Sequence, residues 1–124
     1  MQQSLPRLFA RPILFAHRGA NLVEPENSLA AFSEALRIGA TGLETDVWIS
    51  RDGVVVIDHD GMVRRGLRRR RISSFDAAEL PEHLPTFVEL LEQTPTIVDI
   101  SIDIKDVDAF GLMGELVERV GRDA

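Results

Sequence analysis

The most regular alternation of apolar and polar positions runs over residues 96–105. Val98, Ile100, Ile102 and Ile104 fall on one side, and Asp99, Ser101, Asp103 and Lys105 on the other. Side chains alternate faces along a strand, so this period of two predicts a half-buried β-strand. Residues 43–49 carry the same period less openly, with Leu43, Thr45 and Val47 on one face and Glu44, Asp46 and Trp48 on the other. Two short unbroken apolar runs, residues 12–16 and 54–57, suit fully buried strands. Elsewhere the period becomes helical. Leu29, Phe32, Ala35 and Leu36 follow an N-cap at Asn27 or Ser28, and Gly39 closes that helix. Thr86 caps a second helix bearing Phe87, Leu90 and Leu91, ended near Pro95. Residues 109–120 form a third, carrying Phe110, Met113, Leu116, Val117 and Val120.

The order strand-helix-strand-strand-helix-strand-helix predicts an α/β fold around a largely parallel sheet. The turn Arg51-Asp52-Gly53 between the second and third strands is too short for a crossover helix, so that pair reads as a hairpin. Residues 61–84 are the least regular part, with a short helix expected around residues 76–80. Residues 1–11 read as a loose leader ahead of one domain over residues 12–124.

Composition adds limits. With 44% hydrophobic and 27% charged residues, the chain is of the soluble globular type, and no apolar run approaches a membrane span. No signal-like segment opens it, so a cytoplasmic location is expected. The absence of cysteine removes disulfides, thiolate zinc sites and thiol nucleophiles. A net charge of −6 argues against nucleic acid as a partner. Against that balance, Arg64, Arg65 and Arg68 to Arg71 place six arginines within eight positions, read as a solvated loop rather than an anion-binding patch. Lys105 is the only lysine, beside thirteen arginines.

The chemistry gathers at strand ends. His17 and Arg18 follow the first strand, Glu44 and Asp46 lie on the second, His59 follows the third, and Asp103 and Lys105 sit late on the fourth. Carboxyl ends are where parallel α/β folds build their sites. Two carboxylates on one face of a half-buried strand call for a positive partner or solvent. Glu44, Asp46 and Asp103 are hard oxygen donors suited to Ca2+ or Mg2+. Arg18 and Lys105 suit a phosphate, and His17 and His59 suit general acid–base work. Together these residue types describe metal-assisted displacement at a phosphodiester. His83 reads as a surface residue and Trp48 as core or barrel filling. Asp99 and Ser101 are expected to make a hydrogen-bonded network in a barrel interior, and Glu26 and Asn27 only to organise the start of the helix.

At these residues the chain resembles the glycerophosphodiester phosphodiesterases. The matching pieces are His17-Arg18-Gly19, Pro25-Glu26-Asn27-Ser28 leading into Leu29-Ala30-Ala31-Phe32, Gly42-Leu43-Glu44-Thr45-Asp46-Val47, and Asp52-Gly53 through Asp58-His59-Asp60. Weaker echoes are residues 84–91 and Ile102-Asp103-Ile104-Lys105. The resemblance implies a (β/α)8 TIM-type barrel, here truncated to about its first half. It also implies hydrolysis of glycerophosphodiesters to glycerol 3-phosphate and an alcohol, with Ca2+ or Mg2+. By position it makes His17 and His59 the acid–base pair and Arg18 and Lys105 the phosphate contacts. Glu44, Asp46 and Asp103 become the metal ligands. Three departures stand out: aspartate where the family carries glutamate at residue 103, arginines where it has a threonine- and glycine-containing stretch, and a length short of the roughly 200 residues a full barrel needs. The alternatives are a non-catalytic module that binds or self-associates through open sheet edges, and a phospholipase D-like action on lipid.

Overall fold

The computed structural model describes residues 13–20, 22 and 24–121; the expected leader lies outside them. The elements are β1 (Phe15–His17), α1 (Leu29–Arg37), β2 (Gly42–Ile49), β3 (Val55–Ile57), β4 (Met62–Arg65), β5 (Arg68–Arg71), α2 (Phe87–Gln93), β6 (Asp99–Ile104) and α3 (Val107–Arg119), with two short 3₁₀ turns between β5 and α2. No helix among the described residues is long and apolar enough to cross a membrane.

β2 is the centre of the sheet. β1 and β6 both pair with it in parallel, and β3 pairs with it antiparallel. The carbonyls of Glu44 and Asp46 accept the N–H groups of Arg18 (2.9 Å) and Asp58 (3.2 Å), so β1 and β3 share one edge of β2 end to end. Val47 accepts from Lys105 (3.1 Å) on the other edge. The wall therefore has three parallel strands, and the hairpin expected from the short link is present. That hairpin is held by Ser50, whose hydroxyl meets Asp52 (2.5 Å) and the Val54 N–H (2.9 Å), while Gly53 supplies a positive φ.

One face of β2 builds the main core. Leu43, Thr45 and Val47 are fully covered, together with Phe32 of α1, Phe87 and Leu90 of α2, and Ala109 and Met113 of α3. Each large side chain so covered contributes roughly 1.5–3 kcal/mol. The helices begin where side chains satisfy their free N–H groups. Ser28 accepts from Ala31 (3.1 Å), Thr86 and Glu89 form a reciprocal capping box (3.1 Å each way), and Asp106 accepts from Asp108 (3.1 Å). Ser28 rather than Asn27 is thus the cap of α1.

The arginine-rich segment is more ordered than its composition suggests. β4 and β5 form an antiparallel hairpin with Met62 opposite Arg71, Val63 opposite Arg70, Arg64 opposite Arg69 and Arg65 opposite Arg68. Val63 anchors it in a second core with Val56, Ile72 and Phe75, and all six arginines remain exposed. The short helix expected at residues 76–80 is a 3₁₀ turn, Ala77–Glu79. Arg51 ties this region to the β2–β3 turn through Asp76 (2.9 Å) and Glu79 (2.8 Å). Asp99 and Ser101 do not make the expected interior network. Both are exposed on the polar face of β6, because no further strand covers that face among the described residues.

Two glycines separate backbone strain from crowding. Gly19 has φ +80°, and a Cβ there would stand 2.6 Å from the Ala31 carbonyl carbon. Gly39 has φ +110° with nothing within 4 Å. Urea unfolding should show Gly39→Ala losing about 1–2 kcal/mol, the left-handed penalty alone. Gly19→Ala should lose about 1–3 kcal/mol more, because backbone atoms must move.

Candidate active site

The parallel register lines up the polar face of three strands. His17 pairs with Glu44, Glu44 with Ser101, and Asp46 with Asp103. His59 reaches the same level by a different route. β3 runs back down against β2, the Asp58 N–H lands on the Asp46 carbonyl, and the next residue is His59. The Trp48 indole N–H donates to the Asp58 carbonyl (2.9 Å), and Gly61, with φ +69°, lets the chain turn against the Trp48 ring. Trp48 is thus part of the wall that returns His59 to the site, and it packs with the second core.

Asp46 is the most deeply placed charge, with 3% of its surface exposed. An isolated carboxylate there would cost several kcal/mol. Its neighbours supply the compensation. Arg18 Nε lies 3.6 Å from Oδ2, Lys105 Nζ 3.8 Å from Oδ1, and the Asn27 side-chain amide donates to Oδ2 at 3.3 Å. Asn27 Oδ1 in turn accepts from the Thr45 hydroxyl (3.0 Å), which fixes the amide's orientation. Arg18 also reaches Glu26 (3.1 Å). Arg18 and Asn27 both adopt left-handed backbone, φ +55° and +54°, and the Asn27 N–H bonds to the Arg18 carbonyl (2.9 Å). Two residues in a sparsely populated region, bonded to each other, mark a built loop rather than a passive helix start.

Glu44 Oε2 is shut off from solvent and receives no aligned hydrogen bond, although His17 Nδ1 stands 2.7 Å away. His59 Nδ1 lies 2.8 Å from Asp60 Oδ1. Each histidine therefore has a carboxylate beside its Nδ1. Asp103 sits apart: its side chain is 54% exposed, and the Lys105 ammonium holds it at 2.6 Å. That ion pair raises the pKa of Lys105, keeping it a cation. Burial raises the pKa of Asp58, whose carboxylate accepts the Gly61 N–H at 2.9 Å.

A solvent-shielded carboxylate oxygen on Glu44, beside buried Asp46, is the donor chemistry a hard cation takes. The expected third ligand is not gathered in. Among the described residues no three His, Asp or Glu side chains converge on one point. The structure thus brings His17 to Glu44 and Arg18 and Lys105 to Asp46, returns His59 to their level, and leaves Asp103 on Lys105. It adds Asn27 and Glu26, which the sequence reading left out. Their signal was the Pro25-Glu26-Asn27-Ser28 motif, together with the tolerance of asparagine for left-handed backbone.

Comparisons with known proteins bear on family and fold. The model of the glycerophosphoryl diester phosphodiesterase family matches residues 17–110. The probable glycerophosphodiester phosphodiesterase 2 of Mycobacterium tuberculosis is 34% identical over 119 residues, covering 86% of this chain and 44% of that protein. The solved glycerophosphodiester phosphodiesterase of Thermotoga maritima matches with a TM-score of 0.79 at 31% identity, covering 90% of this chain and 52% of that one. A phosphodiesterase of Oleispira antarctica, solved in complex with the product sn-glycerol-3-phosphate, gives 0.74 at 25% identity, covering 87% and 52%. The chain spans about half the length of these solved structures and a smaller share of the curated relatives.

Asn27 carries two separable loads. Asn27→Ala should lose about 2–4 kcal/mol in chemical denaturation, from the stranded Thr45 and Asp46 groups and the left-handed backbone. Asn27→Gly should recover about 1 kcal/mol of that, the backbone part, without restoring the hydrogen bonds.

Proposed function

The chain belongs to the glycerophosphoryl diester phosphodiesterase family, a (β/α)8 barrel fold, and on that premise we propose that its site hydrolyses glycerophosphodiesters to glycerol 3-phosphate and an alcohol. The observation that carries this reading is the meeting of histidine, arginine, lysine and two carboxylates along Glu44 and Asp46 of one strand. A phosphodiester is an anion, and Arg18 and Lys105 flank Asp46 from both edges of β2, where they can receive its non-bridging oxygens. Both are held by carboxylates, so neither has to be ordered at the moment of binding.

His17 and His59 supply the proton transfers. Nδ1 of His17 is turned to Glu44 and Nδ1 of His59 to Asp60, so a carboxylate orients each imidazole. One takes a proton from the attacking water as its oxygen bonds to phosphorus, and the other gives a proton to the leaving alcohol oxygen as its bond to phosphorus breaks. Glu44 and Asp46 would hold a Ca2+ or Mg2+ ion, with Asp103 as the adjoining carboxylate; such an ion supplies Lewis-acid polarisation of the phosphoryl group. The product in the Oleispira structure is the one this assignment calls for.

Hydrolysis of glycerophosphoethanolamine, followed by release of glycerol 3-phosphate, is the direct assay. His17→Ala and His59→Ala should each lower the rate by about 10²–10⁴-fold with the circular dichroism spectrum unchanged. Normal turnover in both variants would sink the assignment.

Metal binding is read separately by thermal unfolding. Millimolar Ca2+ or Mg2+ should raise the melting temperature over that in chelator, by about 2.7 kcal/mol of stability at a hundredfold excess over Kd. Glu44→Gln should remove that response. A melt indifferent to both ions would refute the cation site.

A further inference from the structure

The β4–β5 hairpin sorts its arginines by face. Directly opposed residues of an antiparallel pair point the same way, and successive residues alternate. Val63, Arg65, Arg68 and Arg70 share one face. There Val63 is buried, and the Arg65 and Arg70 guanidinium groups lie 5.6 and 5.2 Å from the Phe75 ring centre. Those two cations cover the second core. Met62, Arg64, Arg69 and Arg71 share the other face, and Arg69 lies 4.0 Å from Asp60, the partner of His59.

That second face borders a cleft of about 520 Å³ lined by Trp48, Asp60, Met62, Arg71, Lys105 and Asp106 among others. Lys105 is the phosphate contact of the preceding section, so the cleft shares that residue with the candidate site. Its carboxylates are already engaged. Asp60 faces His59 at 2.8 Å, and Asp106 caps α3 at 3.1 Å. Lys105 is held by Asp103 at 2.6 Å. The Arg71 guanidinium, by contrast, forms no ion pair or ring contact among the described residues. An uncommitted planar fork beside an aromatic wall suits a carboxylate or phosphate group.

We propose that this cleft is a subsite for an anionic group carried by the substrate, with Arg71 as the residue that selects for it. The proposal rests on the phosphodiesterase reading and refines its substrate class. The glycerol portion is neutral, so the anion must sit on the other alcohol. Diesters whose alcohol bears a carboxylate or phosphate are preferred over those bearing only an ammonium.

Glycerophosphoserine and glycerophosphoethanolamine differ by one carboxylate and make a matched pair of probes. Calorimetric titration of the chain carrying His17→Ala, to prevent turnover, should show the serine compound binding at least fivefold more tightly. Adding Arg71→Gln should erase that difference while changing the affinity for the ethanolamine compound less than twofold, and Arg71→Lys should restore part of it. The same comparison on vesicles of phosphatidylserine and phosphatidylethanolamine identifies the source: a preference in solution means a small diester, and one confined to vesicles means a lipid headgroup. Equal affinities in both formats, a preference that survives Arg71→Gln, or a loss shared by both compounds overturns the subsite. Equal affinity with normal turnover by the unmodified chain would overturn the subsite alone. Selective binding with no turnover would overturn the phosphodiesterase reading and leave the subsite standing.

Discussion

A carboxylate with 3% exposure at the centre of a sheet is the constraint from which the rest of this structure follows. Asp46 cannot remain charged there without donors on every side. Three separate parts of the chain provide them: the loop after β1 through Arg18, the start of α1 through Asn27, and the end of β6 through Lys105. Each contribution has a backbone cost or a fixed position behind it. Arg18 and Asn27 give up ordinary backbone geometry, and Lys105 is delivered by the hydrogen bond of its own N–H to Val47. The same donors that make Asp46 tolerable are the groups an anionic substrate would meet, so stability and site chemistry draw on one arrangement.

The antiparallel excursion of β3 fits this scheme. A strand parallel to β2 would have needed a crossover connection much longer than the short turn that joins β2 to β3. By folding back on β2, β3 returns the chain to Asp46 at Asp58, with His59 the next residue, and the Trp48–Asp58 contact fixes that return. The second core then stands on the far side of β3, through Val56, and supports the arginine hairpin. Two cores sharing one short strand explain why Val55, Val56 and Ile57 are all buried despite alternating faces.

Where the sequence was periodic it was informative. The alternation over residues 43–49 and 98–104 placed each side chain on its observed face, and Thr86 and Pro95 marked the ends of α2 closely. The arginine segment defeated the same reasoning, because alternating faces occupied by one residue type leave no period to see. Only Val63, Ile72 and Phe75 betrayed a buried side, and they are spread over a hairpin and a turn. Asn27 was missed for another reason. A polar residue before a helix is ordinarily a cap, and its turn beneath the strand appears only once the left-handed backbone is known. Asp103 lay on the expected face, but its pairing with Lys105 two residues on depends on side-chain reach, which spacing does not encode.

Lys105 stands between Asp46 and Asp103, which are side by side on adjacent strands about 4.8 Å apart. The repulsion between them is met by a counterion attached to the protein itself. Such a chain need not wait for a dissolved ion to settle its sheet, unlike small metal-dependent folds in which apo means unfolded. Assembly and loading become separate events. Any divalent cation that approaches then competes against a tethered ammonium, an exchange of charge rather than the filling of a vacancy. Sodium or potassium, with no charge advantage over that resident group and no tether, is at a disadvantage from the outset.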